Sequence, residues 1–292
     1  MTLPTADTIV TYPAGDLTST GTVLHTEALD AGRRVVVLDI SACHPVDSAW
    51  PDQPADRAVL TTNGVELDIL DCVVGATDGE ALYLAGDVPV RKGTEGWAFV
   101  TAHIVDDALA TEAGLVEGSD ASVAVDADYR HALSVGHTAC HLASLALNAE
   151  LAGSWNKEAS LDALEHPNFD ALAIETSRIH ERGSADAYRV GKSLRKKGFT
   201  PARLADDLGE VEKGVDARLS AWIASGAAAA IERDGDRLTD RRYWTTTLDG
   251  HPVSIPCGGT HVAALAELSD PQVTLHAQQG DAALELRMTT RA

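Results

Sequence analysis

Up to about residue 95, apolar and polar positions alternate in short runs broken by turn residues: GTVLHTEALD, RRVVVLDIS, RAVLTTNGVELDILDCVV and EALYLAGDVPV. Alternation with a period of two predicts half-buried strands, and several short strands in succession suit a small antiparallel barrel or sandwich. Residues 96–129 read as a transition. From 130 to 151 the period changes to that of a helix, apolar nearly all round at Leu133, Val135, Leu142, Leu145, Leu147 and Leu151. A helix of that kind is buried. One polar stripe interrupts it at steps of three or four: Arg130, Ser134, His137, His141, Ser144 and Asn148. Inside a core such a stripe must find partners, either backbone hydrogen bonds or a metal ion and a substrate.

Beyond residue 153 the pattern is mainly helical, with one extended piece. FDALAIETSRI alternates at Leu172, Ile174 and Thr176 and reads as a strand. Thr200-Pro201 is a good cap and first-turn pair. After it, Leu204, Leu208, Val211, Val215, Leu219 and Ile223 repeat at helical spacing up to Gly226, which predicts one long amphipathic helix. TTTLDGHPVSIP reads as a hairpin turning at Asp249-Gly250 and leading into a short strand that ends near Cys257. Pro256 and the glycines Gly258 and Gly259 keep any helix from starting before Thr260.

The candidate chemistry lies in two remote stretches, HTACH and CGGTH. Each places two metal-ligand residues four positions apart: His137 with His141, and Cys257 with His261. Three imidazoles and one thiolate are a donor set that tetrahedral zinc accepts readily. Core histidines bonded to backbone, and a buried cysteine beside an ordinary Gly-Gly turn, are the plain alternatives for each half taken alone. Cys140 lies about 100° round the helix from His141 and is expected to face the core instead. Thr138 and Thr260 each sit beside a ligand within the two motifs and are candidates for contact with substrate, although a helix-face threonine and a cap also explain them.

In these residues the chain resembles the alanyl-tRNA editing proteins, the freestanding relatives of the editing domain of alanyl-tRNA synthetase. HTACH on an apolar helix and a distant CGGTHV carry the likeness. So do Asp126 and Arg130 in VAVDADYR, and His44, Pro45, Gln53, Pro54 and Asp56 in the stretch VVVLDISACHPVDSAWPDQPADRAVL. The resemblance implies an α+β protein. An N-terminal antiparallel β-barrel-like domain (1–95) would be followed by a zinc-binding editing-type domain (96–292), of the kind called the second additional domain of threonyl- and alanyl-tRNA synthetases. It implies hydrolysis of the ester of a mischarged tRNA, serine or glycine on alanine tRNA, in the service of translation fidelity. His137, His141, Cys257 and His261 would hold Zn2+, and Gln53 would orient water or substrate, although a polar loop residue before a proline also explains it. Such an ester is already reactive, so a site need only place a water and stabilise the developing oxyanion. Zinc can polarise the carbonyl, activate a bound water or grip the substrate's amino group, and the sequence does not choose among these. The chain departs from the family where three glycines usually precede the glutamine: here stand Asp47, Ser48, Ala49, Trp50, Pro51 and Asp52, which narrow the approach of backbone to a ligand. A hydrolase of another small ester or amide, or a binding module built on structural zinc, are the competing readings.

Charge and cysteine usage modify this picture. The chain has 292 residues, 44 acidic against 23 basic, with only six lysines, and a formal net charge of −21. That is the wrong sign for a phosphate partner unless basic patches survive locally. The acidic residues are scattered along the whole length, as in a halophilic composition where salt screens self-repulsion. Stability is therefore expected to rise with molar potassium chloride in a chemical-unfolding series; a fall would contradict this explanation. Lys192, Arg195, Lys196 and Lys197 form one basic cluster, which suits either a tRNA contact or a helix end complementing its dipole. Cys43, Cys72, Cys140 and Cys257 are too dispersed for a disulfide framework. With no apolar run long enough to span a bilayer and no signal-like start, the reading is a cytoplasmic protein with neither membrane nor DNA as partner.

Overall fold

The computed structural model describes residues 3–292, which form a mixed α+β, sheet-rich fold of two compact units. The first unit holds residues up to Arg130 together with 233–242 and 258–260. Its strands are β1 (Ile9–Val10), β2 (Thr18–Leu29), β3 (Arg33–Leu38), β4 (Ile40–Ser41), β5 (Ala58–Thr62), β6 (Val65–Ile69), β7 (Asp71–Thr77), β8 (Leu82–Leu84), β9 (Ala98–Asp106) and β10 (Asp120–Val125), with helix α1 (Asp107–Glu112) between the last two. Eight of them make one curled antiparallel sheet in the order β6-β5-β10-β2-β3-β9-β7-β8. The twelve-residue β2 has a register shift between Val23 and His25, so one strand pairs with β10 along its first half and with β3 along its second. Bulges of this kind bend a strand and let a sheet curl.

The strand-rich pattern before residue 95 thus marks real strands, but the stretch 96–129 is more than a transition. β9 and β10 are interior strands of the sheet, and the compact unit they belong to holds residues up to Arg130. β9 is buried at every position from Ala98 to Val105, so it shows no alternation to read. Central strands covered on both faces lose the period-two signal. Val36, Leu38, Leu60, Leu67, Val105 and Val123 pack inside this unit with exposures of at most 1%.

The second unit contains α3 (Phe169–Ala173), β11 (Ile174–His180), β12 (Gly183–Val190), α4 (Lys192–Lys196), α5 (Ala202–Asp206), α6 (Leu208–Ala224), β15 (His251–Pro256), β16 (Gln272–Gln279) and β17 (Leu284–Arg291), with most of β13 (Ala229–Arg233) and of β14 (Arg242–Leu248). Before these comes α2 (Ala127–Glu150), whose residues from His131 onward belong here. β11, β12, β17 and β16 form an antiparallel sheet in that order, and β13, β14 and β15 a second, smaller one. α2 supplies Val135, Ala139, Leu142, Leu145 and Leu147 to the core, as its apolar pattern requires. Its amide start is capped by Asp126, whose carboxylate accepts the Tyr129 N–H at 3.0 Å. Gly136 lets the β11–β12 turn approach: a Cβ there would sit 2.6 Å from the backbone nitrogen and oxygen of Gly183.

Two predicted elements change form. The long helix after Thr200 is two helices, α5 and α6, separated at Asp207 with φ −127° and ψ 27°, and Thr200 makes no side-chain cap. Asp207 and the nearby Gly209 are weak helix formers, and the apolar spacing continues across the break because both pieces turn the same face inward. The piece around Phe169 begins as α3, so Leu172 is helical; the strand starts only at Ile174 and carries a register shift before Thr176. The hairpin at Asp249-Gly250 is as expected, with both residues at positive φ (51° and 81°), as a tight two-residue turn demands. No helix among the described residues is long and apolar enough to cross a membrane, and none of the four cysteines is in a disulfide.

Candidate metal centre

The site is built within the second unit from one buried helix and one loop. The four-residue spacing puts His137 and His141 on the same face of α2, one turn apart, with their rings stacked at a centroid distance of 4.9 Å and 10° between planes. The β14–β15 hairpin delivers Cys257 immediately after its last strand residue, Pro256. His261 follows on a non-helical segment. One ligand atom from each of the four residues lies within 4.8 Å of every other. The Cys257 Sγ is 3.5 Å from His137 Nε2 and 3.2 Å from His261 Nε2. His137 is 3% exposed, while the other three are half-buried.

The surroundings of this cluster orient it. Thr138 donates its hydroxyl to the Ser134 carbonyl at 2.8 Å, so that oxygen faces His261 Nδ1, 3.1 Å away, as an acceptor. The His261 proton is thereby fixed on Nδ1, and Nε2 presents its lone pair toward Cys257. The Val262 amide also reaches the Thr138 oxygen, at 3.3 Å. Trp244, on β14 and fully buried, stacks on His141 at 5.3 Å and 15° and lies 5.6 Å from His261. It forms a dry wall whose signal in the sequence is the alternation Tyr243-Trp244-Thr245, which marks an inward position without saying what it touches. Three imidazoles and a thiol, held convergent and partly shielded from water, could hold a divalent metal ion.

The other predicted site residues are placed as follows. Gln53 and Thr260, both in the first unit, are buried and joined by two hydrogen bonds: the Gln53 amide donates to the Thr260 hydroxyl at 2.9 Å, and the Thr260 backbone N–H donates to the Gln53 carbonyl oxygen at 3.0 Å. Thr260 immediately precedes His261 in the chain. Lys192, Arg195 and Lys196 are exposed on the five-residue α4, and Lys197 follows it. His44 is buried, packs edge-on against Tyr12 at 5.0 Å, and is held down to a pKa of about 3 by burial and by the charges of Arg130 and Lys92, so it is a neutral core residue at any working pH.

Cys140 points away from the cluster, as its helical phase requires, toward Asp186 at 3.6 Å. Asp186 also accepts the hydroxyls of Ser177 at 2.6 Å and Ser184 at 2.8 Å. Burial pushes its pKa up to about 6, against the pull of those two hydroxyls. A raised carboxyl pKa favours the fold while the group is protonated, and that advantage fades as pH rises through the folded value. Stability should therefore fall between about pH 4 and about pH 6, by at most about 1.4 kcal/mol per pH unit for one proton. Asp186→Asn is expected to flatten that slope in urea unfolding; identical slopes in both chains would contradict the assignment.

No family model matches the chain. Over 165 residues, 54% of its length, it is 29% identical to the alanine–tRNA ligase of Cereibacter sphaeroides. Over 221 residues, 74% of its length, it is 28% identical to that of Desulforudis audaxviator. The chain is similar to part of alanine–tRNA ligase. These matches cover 17% and 22% of the two ligases, so the chain spans about a fifth of the length of the curated relatives it matches.

Proposed function

We propose that this chain hydrolyses the ester bond of mischarged tRNA, with serine or glycine on alanine tRNA as its substrates, and that His137, His141, Cys257 and His261 hold Zn2+. The convergence of those four donor atoms within 4.8 Å carries the reading, and the similarity to part of alanine–tRNA ligase supports the substrate class. Zinc bound there supplies Lewis acidity, able to polarise an ester carbonyl or to hold a substrate amine. The chain's own residues do the rest. Thr138 keeps His261 in one tautomer and one orientation. Trp244 excludes water behind two of the imidazoles and lowers the local dielectric, which strengthens charge stabilisation at the site. Gln53 fixes Thr260, the residue before a ligand, and the exposed Lys192, Arg195, Lys196 and Lys197 offer charge to the tRNA phosphates.

Deacylation of seryl-, glycyl- and alanyl-tRNA(Ala) by the purified chain tests this. Release of serine or glycine with alanine spared is the expected result. Four protein donors also fill a tetrahedral shell, which favours a second reading: a zinc-scaffolded binding module. Firmly bound zinc with no deacylation of any of the three would select it. A Thr138→Val variant probes the positioning role, because it keeps the shape and removes the acceptor for His261 Nδ1. Its zinc affinity, measured by competition with a chelator, is expected to drop about 10–100-fold, the usual cost of losing such an outer partner. Thr138→Ser should retain wild-type affinity.

A further inference from the structure

A second group of metal-binding side chains lies inside the first unit, in a place where no paired motif announced it. Cys43, Cys72 and His103 each expose 0% of their surface, and one ligand atom from each lies within 4.8 Å of the other two. The fold dictates this meeting. Cys72 on β7 and His103 on β9 are direct partners in the antiparallel ladder, so their side chains leave the same face of the sheet. The segment after β4 pairs with β7 at Val46–Val73 and brings Cys43 alongside.

The histidine is set up as a ligand. Its Nδ1 is 3.0 Å from the Val36 carbonyl oxygen, which can only accept, so the proton sits on Nδ1 and Nε2 carries the lone pair. Nε2 stands 2.8 Å from the Ser41 hydroxyl, an oxygen that also receives the Cys43 backbone N–H at 3.1 Å. Charge decides what ion such a pocket tolerates. Two thiolates and a neutral imidazole around a divalent cation sum to zero, so a complete site can be buried without an uncompensated charge, while a monovalent ion would leave a negative one. Soft sulfur donors with nitrogen select zinc among the common divalent ions.

We propose that Cys43, Cys72 and His103 form a second, structural zinc site, with the Ser41 hydroxyl as a fourth, oxygen neighbour. Zinc displaces the two thiol protons, and Nε2 exchanges its hydrogen bond from Ser41 for a bond to the ion. Because the pocket is closed to solvent, loading accompanies folding. This site is independent of the deacylase reading and of the other ligand cluster.

Metal analysis of the chain purified under reducing conditions gives the first test: Cys72→Val is expected to carry one zinc equivalent fewer than the unaltered chain. Equal zinc in the two overturns the proposal. Should Cys72→Val fail to fold, a chain with Cys140→Ala and Cys257→Ala keeps only Cys43 and Cys72 as thiols, out of four in all. Refolded with Co2+, that chain should show a thiolate-to-cobalt charge-transfer band. Absence of the band from the folded chain shows that these side chains are an ordinary hydrogen-bonded core cluster and refutes the site.

Discussion

A chain carrying His141→Ala and Cys257→Ala is expected to lose both the zinc proposed for the His137/His141/Cys257/His261 cluster and the proposed deacylase activity. The two substitutions remove one donor from each half of the site, leaving His137 and His261, too few to retain the ion against a chelator. The rate is expected to fall by about 10²–10³-fold or more, the cost typical of losing a main stabiliser of a developing oxyanion. Stability should suffer less than a core truncation would cause, since both side chains are half-buried. Deacylation kinetics with circular dichroism as a check on folding decide the matter. Undiminished activity in a folded, zinc-free double variant would show that the cluster does not serve the reaction.

The second large effect concerns Arg130 and Asp56, a buried ion pair within the first unit. The Asp56 side chain is 0% exposed and that of Arg130 6%. Arg130 donates from Nε to Asp56 at 2.7 Å and from Nη2 to the other carboxylate oxygen, and it also donates to the Ala42 carbonyl at 2.8 Å. The His44 backbone N–H adds a bond of 2.6 Å to Asp56. Two parallel bonds of this fork geometry fix the loop that carries His44 through Asp56. Arg130→Met strands a carboxylate in a dry site, which costs about 3–5 kcal/mol. Adding Asp56→Asn should return much of the loss at pH 7, and urea unfolding of the single and double variants measures both effects. A single variant as stable as the unaltered chain would mean that the pair holds nothing.

How much of this was legible depends on whether a local period or spacing encoded it. His137 with His141, and Cys257 with His261, announce themselves because each pair is close in sequence and chemically complementary to the other. The hairpin at Asp249-Gly250 is legible for a similar reason: its turn needs two residues at positive φ, and the residue types say so. The buried helix α2 reads from its apolar circumference, although its first turn, started by Asp126, lies outside the apolar run. What stayed hidden depends on long-range pairing. β9 is apolar on both faces and shows no alternation, so its central place between β3 and β7 appears only when the sheet is assembled. Cys43, Cys72 and His103 come from three distant strands and segments, and no spacing rule connects them. Trp244 and the tautomer-fixing contact from Thr138 to His261 likewise arise from tertiary packing, which composition does not record.

The proposed activity needs four side chains to share one ion, and an anomalous-difference map at the zinc absorption edge, from crystals grown without chelator, reads that sharing out. It should show a peak flanked by His137, His141, Cys257 and His261, about 2.0–2.1 Å from imidazole nitrogens and about 2.3 Å from sulfur. Those four side chains well ordered in the map, with no peak among them, would contradict the central claim.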